Sequence, residues 1–424
     1  MVTGLACAVC GARVPIGTPL SWACPNSSDS DRRHLLQFES TLDPFRPIDS
    51  PNPFLAFRRS LAVDALGEAL GLSDDAREHI IDVADRAVAA VAGTGFVVTP
   101  FERADQLSDS LGFTGDGGVW VKDETRGVAG SHKARHLFTE LLHLMMVEAA
   151  GAAPWTIATR PPLAISSCGN AAIAASTLAR SARWPIKVFV PTAASQVVLH
   201  MLNALGADVT VCPRLDDDPP GDPCIHRFRE AVRDGAIPFG VVGPENAWCL
   251  DGGRTIGWEM FTQLDRPVDR VFVQVGGGAF ASCVGAAMRD VGVHPRLHAV
   301  QTEGCAPLAR AWDRVVAGGG ARQAAHQWAE CMWPWENTPT SLADGILDDE
   351  TYDWIGVVAA MENTGGSPVV AREATIVDAH ELAREVTDIK VSPTGSAGLA
   401  GLMEMRGTLS SDERVAVIFS GVLR

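Results

Sequence analysis

Hydrophobic and polar positions along the chain fall into two regimes. Between residues 61 and 71, and again between 76 and 92, apolar residues recur three and four positions apart, which predicts helices. From residue 119 onward, short β-rich runs are separated by longer alanine-rich stretches. These runs predict strands at 119–122, 163–166, 186–190, 208–212, 270–275, 297–301 and 415–419, with helices between them. Strands alternating with helices imply right-handed crossovers and mostly parallel sheets covered on both faces, so the fold class is α/β. Pro44, Pro47, Pro51 and Pro53 mark a linker before the first helices, and the acidic, proline-rich segment 216–223 reads as an exposed loop. No internal repeat or low-complexity tract interrupts the pattern.

With 424 residues, 46% of them hydrophobic, the chain can bury a large core and is long enough for two domains. A formal charge of -16, without basic clusters, argues against nucleic acid or an anionic membrane as partner and favours a small-molecule substrate. No uncharged apolar stretch of about 18 residues occurs, and the N-terminus lacks a basic region followed by an apolar core. The expectation is a protein with no membrane span and no secretion signal, located in the cytoplasm. Ten cysteines in a chain this long fit reduced thiols better than a disulfide framework.

The chemistry concentrates in a few turns. Lys133 lies in Gly130-Ser131-His132-Lys133, a small-residue turn that closes a strand and opens a helix. A partly buried lysine there can lose its proton and form a Schiff base with an aldehyde. Gly276, Gly277, Gly278 and Ala279 follow a strand and precede a helix, where backbone N–H groups and the helix's positive end suit a phosphate. Their spacing is neither the dinucleotide fingerprint nor a P-loop. Ser166, Ser167, Gly169 and Asn170 precede an alanine-rich helix over 171–180, where they can cap it or neutralise an amino acid's carboxylate. Asn170 can instead meet a cofactor's ring oxygen. Thr394, in a hydroxyl-rich turn, is the candidate partner for a pyridine nitrogen, and a hydroxyl there makes the ring a weaker electron sink than a carboxylate would. Lysine, phosphate cradle and polar loop together are the requirements of pyridoxal phosphate.

These segments, with the runs at 253–260, 303–311, 343–346 and 392–399, resemble the fold type II pyridoxal-phosphate enzymes. That group includes threonine synthase, serine/threonine dehydratases, cysteine synthase and the tryptophan synthase β subunit. The similarity covers roughly residues 95–424 and is strongest to threonine synthase. It implies two open, mostly parallel sheet domains with the cofactor between them. Residues 41–133 and 240–424 would form the large cofactor domain, 134–239 a smaller inserted one, and 1–40 a cysteine-bearing arm. It also implies that Lys133 carries the cofactor and shuttles the α-proton, that Asn170 contacts the ring hydroxyl, that residues 276–279 hold the phosphate, and that Thr394 faces the ring nitrogen. Ser166, Ser167 and Gly169 would take the substrate carboxylate. Relatives of this kind are commonly homodimers.

The chain departs from threonine synthase at His132, where phenylalanine is usual, at Ala171 in place of threonine, and at the inserted Cys168. The leading expectation is therefore a lyase that removes an α-proton and eliminates or replaces a β-substituent. The rival is threonine synthase chemistry on phosphohomoserine, which would need basic residues such as Arg135, Arg160 or Arg254 to reach a second phosphate. A cofactor-retaining binding protein and a pyridoxal-free nucleotide enzyme are readings of other classes. Trp248, Trp312, Trp333 and Trp335 read as core or as pocket lining, with core favoured. In the arm, Cys7 and Cys10 form half a zinc knuckle that Cys24 and His34 could complete; the alternative is a vestigial, metal-free arm.

Overall fold

A computed structural model of the chain describes residues 2–41, 45–218 and 221–424, so Pro44 of the linker and two prolines of the 216–223 loop lie outside the described residues. Thirteen strands form three sheets among the described residues. The first, antiparallel in the order β2-β1-β3, belongs to the arm: β1 (Val2–Cys7), β2 (Arg13–Pro15) and β3 (Leu36–Ser40).

A four-stranded parallel sheet holds β6 (Leu163–Ser166), β7 (Ile186–Pro191), β8 (Asp208–Cys212) and β9 (Ile237–Pro238) in the order β8-β7-β6-β9. The third sheet takes β4 (Phe101–Arg103), β5 (Gly118–Asp123), β10 (Arg270–Gln274), β11 (Arg296–Thr302), β12 (Ser367–Ala371) and β13 (Arg414–Phe419) in the order β12-β11-β10-β13-β5-β4. It is parallel except for the β4–β5 edge. Every residue of β5 and β10 is buried, because helices cover both faces, and this is why the central strands read as continuous apolar runs.

The helix Lys133–Ala149 runs through the interior with thirteen of its residues buried, among them His136, Thr139, Glu140 and His143. Helix Cys249–Gly252 crosses it at close range. A Cβ on Gly252 would stand 1.9 Å from the Arg135 carbonyl oxygen, so only glycine permits the approach. Beneath its first turn lies a buried ion network. Arg135 donates to Glu124 (2.9 Å) and Glu259 (2.5 Å), and Lys122 to Glu259 (2.5 Å) and the Thr99 carbonyl (2.8 Å). Two cations face two carboxylates there, which leaves no net buried charge.

The arm docks on the same helix. The Leu20 N–H donates to His143 Nε2 (3.1 Å), Trp22 packs against the His143 ring, and Trp248 Nε1 donates to the Ser21 carbonyl (2.9 Å). Trp248 is core, as favoured. Trp333 instead lies under the Arg310 guanidinium, 3.8 Å from its ring centroid.

Candidate active site

The strands β5, β10 and β13 are parallel, and their C-terminal ends bring three loops together, which is where open α/β sheets bind ligands. After β5 the chain turns through Ala129 and Gly130, both at positive φ, and reaches Lys133 as the first residue of its helix. Residues beyond β13 pin this turn: the His132 N–H and Nδ1 both meet the Ser420 carbonyl (3.0 and 3.1 Å), and Ser131 pairs with Gly421. Gln274, at the end of β10, ties the third element in through Ser420 Oγ (2.6 Å) and the Gly395 carbonyl (2.9 Å). A Cβ on Gly130 would lie 2.6 Å from Val422, so the turn packs too closely for a larger residue there.

Lys133 is partly buried, and among the described residues its amine has no hydrogen-bond or ion-pair partner. Burial pushes its pKa below the ordinary lysine value, while the charges of Asp348, Cys249 and Asp353 oppose that shift. His132 and His136 are held neutral by burial and by the lysine's charge, His136 down to about 3. His132 also stacks on Phe280 at 4.2 Å. A lysine amine that burial disposes to lose its proton is the condition for imine chemistry.

The glycine loop places Gly278 at φ +94°, a left-handed turn that opens the helix Ala279–Val291. Asp348 Oδ2 lies against the loop, where it would meet a Cβ on Gly276 at 2.3 Å and one on Gly277 at 3.6 Å. The space before the loop therefore closes to any larger residue, and its N–H groups at the start of a helix are the donor chemistry a phosphate needs. On these grounds the residues fit pyridoxal phosphate.

Asn170 reaches the lysine turn from the other sheet: its Oδ1 accepts from Arg424, whose guanidinium also donates to the Ala129 carbonyl. Thr394 Oγ1 accepts from the Gly345 N–H (2.9 Å) and donates to Asp344 (3.2 Å). Ser166 ends β6, and Ser167 Oγ accepts from the Gly169 N–H (3.4 Å).

Two expectations need correction. The helix opens at Asn170, not 171, with Gly169 in the cap position and no side chain capping it, so Ser166, Ser167 and Asn170 are not N-caps. Arg135, Arg160 and Arg254 do not offer charge to a second phosphate. Arg135 is consumed by Glu124 and Glu259, Arg160 by Glu148, and Arg254 by Asp251 and Asp290. Sequence reading also missed Asp348, Asp353, Ser420 and Arg424. The acidic run after Ala343-Asp344-Gly345-Ile346 was the available signal for the first two; nothing local marks the chain end as part of the site.

In the arm, Cys7, Cys10, Cys24 and His34 bring their ligand atoms within 4.8 Å of one another. Cys7 Sγ lies 3.5 Å from His34 Nδ1 and Cys10 Sγ 3.5 Å from Cys24 Sγ. A tetrahedral zinc with Zn–S bonds of about 2.3 Å separates its sulfurs by about 3.8 Å, so the donor set fits that metal. Asp31 sits 3.6 Å from His34 Nε2, on the ring nitrogen facing away from Cys7.

Residues 94–421 match the model of the family described as "Pyridoxal-phosphate dependent enzyme". The chain belongs to that family. It is 24% identical over 343 residues to threonine synthase of Methanosarcina acetivorans, covering 77% of this chain and 74% of that one. To threonine dehydratase 2 of Solanum lycopersicum it is 24% identical over 241 residues, 56% of this chain but 36% of the relative. Maize serine racemase superposes with a TM-score of 0.62 at 18% identity, covering 81% of this chain and 93% of that one, which establishes the fold type II architecture. β-Elimination lyase activity is consistent with this set of relatives. Among the described residues, no helix is long and apolar enough to cross a membrane.

Proposed function

We propose that the chain is a pyridoxal-phosphate-dependent lyase that takes the α-proton of an amino acid and expels or replaces a β-substituent. The observation that carries this reading is the unpaired Lys133 amine, lowered by burial, in a turn whose His132 stacks on Phe280 at the start of the glycine-loop helix. When bound, the cofactor supplies an electron sink for the pair left at Cα. Lys133 holds its aldehyde and accepts the α-proton. Gly276, Gly277, Gly278 and Ala279 would hold the phosphate, Asn170 would meet the ring hydroxyl, and the Thr394 hydroxyl, which donates to Asp344 here, would serve the ring nitrogen. Ser166, Ser167 and Gly169 bind the substrate carboxylate at the start of the helix Asn170–Ser181. A hydroxyl rather than a carboxylate at the ring nitrogen supports elimination over transamination.

In this reading 41–133 and 240–424 form the cofactor domain, 134–239 the smaller domain, and Cys7, Cys10, Cys24 and His34 hold a structural zinc. Ten free thiols support a reducing compartment such as the cytoplasm, and a homodimer follows from the family resemblance alone. Arg135, Arg160 and Arg254 are already paired, so phosphohomoserine would need another cation for its phosphate.

The test is the visible spectrum of the purified protein mixed with pyridoxal phosphate. A band at ~410 nm that disappears in Lys133→Ala, together with ammonia release from L-serine or L-threonine, is expected. A colourless protein overturns the cofactor assignment; a coloured one that releases nothing from any β-substituted amino acid is a binding protein.

A further inference from the structure

The segment that follows β13 folds back over the lysine turn and meets Asn170 there. Its backbone is fixed at each step: Ser131 pairs with Gly421, the Val422 N–H donates to the Gly130 carbonyl (2.8 Å), and the Leu423 N–H donates to the Lys390 carbonyl (2.8 Å). Arg424 is thereby carried to two acceptors at once. One guanidinium nitrogen donates to Asn170 Oδ1, and another to the carbonyl of Ala129, a residue held at φ +54°. Asn170 opens the helix that follows β6, so a single side chain ties that helix to the turn before Lys133.

Among the described residues Arg424 has no ion-pair partner, although the chain carries 51 acidic side chains, so these two oxygens and not a carboxylate hold it. A guanidinium has only donors, whereas an amide offers an oxygen on one side and an NH2 group on the other. Arg424 can therefore meet only the oxygen, and it fixes which way round the amide lies. Gly421 supplies the wall: a Cβ there would stand 2.7 Å from Asn170 Nδ2, so the amide packs against bare backbone. With Oδ1 taken, Nδ2 remains as a donor, and among the described residues it has no hydrogen-bond partner.

We propose that Arg424 is a positioning residue: by holding Asn170 Oδ1 it presents Nδ2 to the ring oxygen of the cofactor, and its charge, passed through the amide, strengthens that donor. This rests on the cofactor reading and on the place of Asn170 in it. The aldehyde that Lys133 would hold and the ring oxygen stand on neighbouring ring carbons, so the lysine turn and the amide must keep a fixed separation. The shared guanidinium is the tie between them.

Wild type, Arg424→Ala, Arg424→Lys, Asn170→Ala and the double variant Arg424→Ala/Asn170→Ala are each titrated with pyridoxal phosphate, reading the dissociation constant and the visible spectrum. Arg424→Ala is expected to weaken binding by ~5-fold and to move part of the visible absorbance to shorter wavelength, as the ring oxygen takes up a proton. Arg424→Lys, also a pure donor, should restore most of both. Because Arg424 acts through Asn170, adding Arg424→Ala to Asn170→Ala should cost nothing further. Additive losses in the double variant overturn the proposal, and so does an Arg424→Ala protein that binds and absorbs as the wild type does. An Asn170→Ala protein indistinguishable from wild type overturns it too, while leaving the cofactor reading in place. A wild type without the visible band removes both together.

Discussion

Replacing Arg135 by methionine keeps the volume of the side chain but removes one of two cations from a network that is 0–4% exposed at every charged side chain. Lys122 and Arg135 balance Glu124 and Glu259 in the wild type; the variant keeps one cation against two carboxylates, a net buried charge of one. Arg135 donates to both Glu124 oxygens (2.9 and 3.1 Å) and both Glu259 oxygens (2.5 and 3.2 Å), and all four bonds go at once. Breaking a buried pair on one side costs ~3–5 kcal/mol.

The loss should depend on pH with a definite sign. Burial works to raise the Glu259 carboxyl, but Arg135 and Lys122 outweigh it and hold it below its ordinary value, so the wild-type network contributes stability at neutral pH that fades as acid protonates it. In the variant one carboxyl has a folded pKa raised above its unfolded value. Its folded form then binds a proton, and stability falls as pH rises, by up to ~1.4 kcal/mol per pH unit. The gap between the two proteins therefore widens from pH 5 to pH 8. Urea unfolding followed by tryptophan fluorescence at four pH values measures it. A loss below ~1 kcal/mol at pH 7, or a gap that stays flat with pH, would refute the account.

Two further outcomes follow from buried groups outside the site. Glu140 has neither oxygen hydrogen-bonded, and burial raises its carboxyl well above the ordinary range, so it folds as the neutral acid. That contribution is present below the unfolded pKa and lost as pH rises, so Glu140→Gln should match the wild type in thermal midpoint near pH 5 and exceed it at pH 8; a variant that is worse at both contradicts this. Purified under metal-free buffers with zinc added back, the arm should retain one equivalent by elemental analysis, lose it in Cys24→Ser, and lower the melting midpoint on chelation. Retention by Cys24→Ser would place the metal elsewhere.

Much of the site could be read in advance because its parts are local. Lys133 in its turn and the glycines at 276–278 follow strands whose apolar runs appear along the chain with ends correct to within about a residue. The edge strand β4, the two-residue β9 and β12 escaped notice because each is defined by a remote partner and lacks a full apolar run: β4 pairs with β5, β9 with β6, and β12 with β11. The arm's three strands were also unread, although its four metal-ligand candidates were all named.

The order of residues alone therefore determined the α/β class, the lysine, the glycine loop and the Cys/His set, since short-range periodicity and turn chemistry record which positions are buried and where the backbone must bend. Only tertiary structure decided which charges meet. It paired Arg135, Arg160 and Arg254 with carboxylates, laid Asp348 against the glycine loop, and carried Ser420 and Arg424 from the chain end to the lysine turn. Electrostatic partners in a buried site are chosen by proximity across hundreds of residues, and no local pattern encodes that distance.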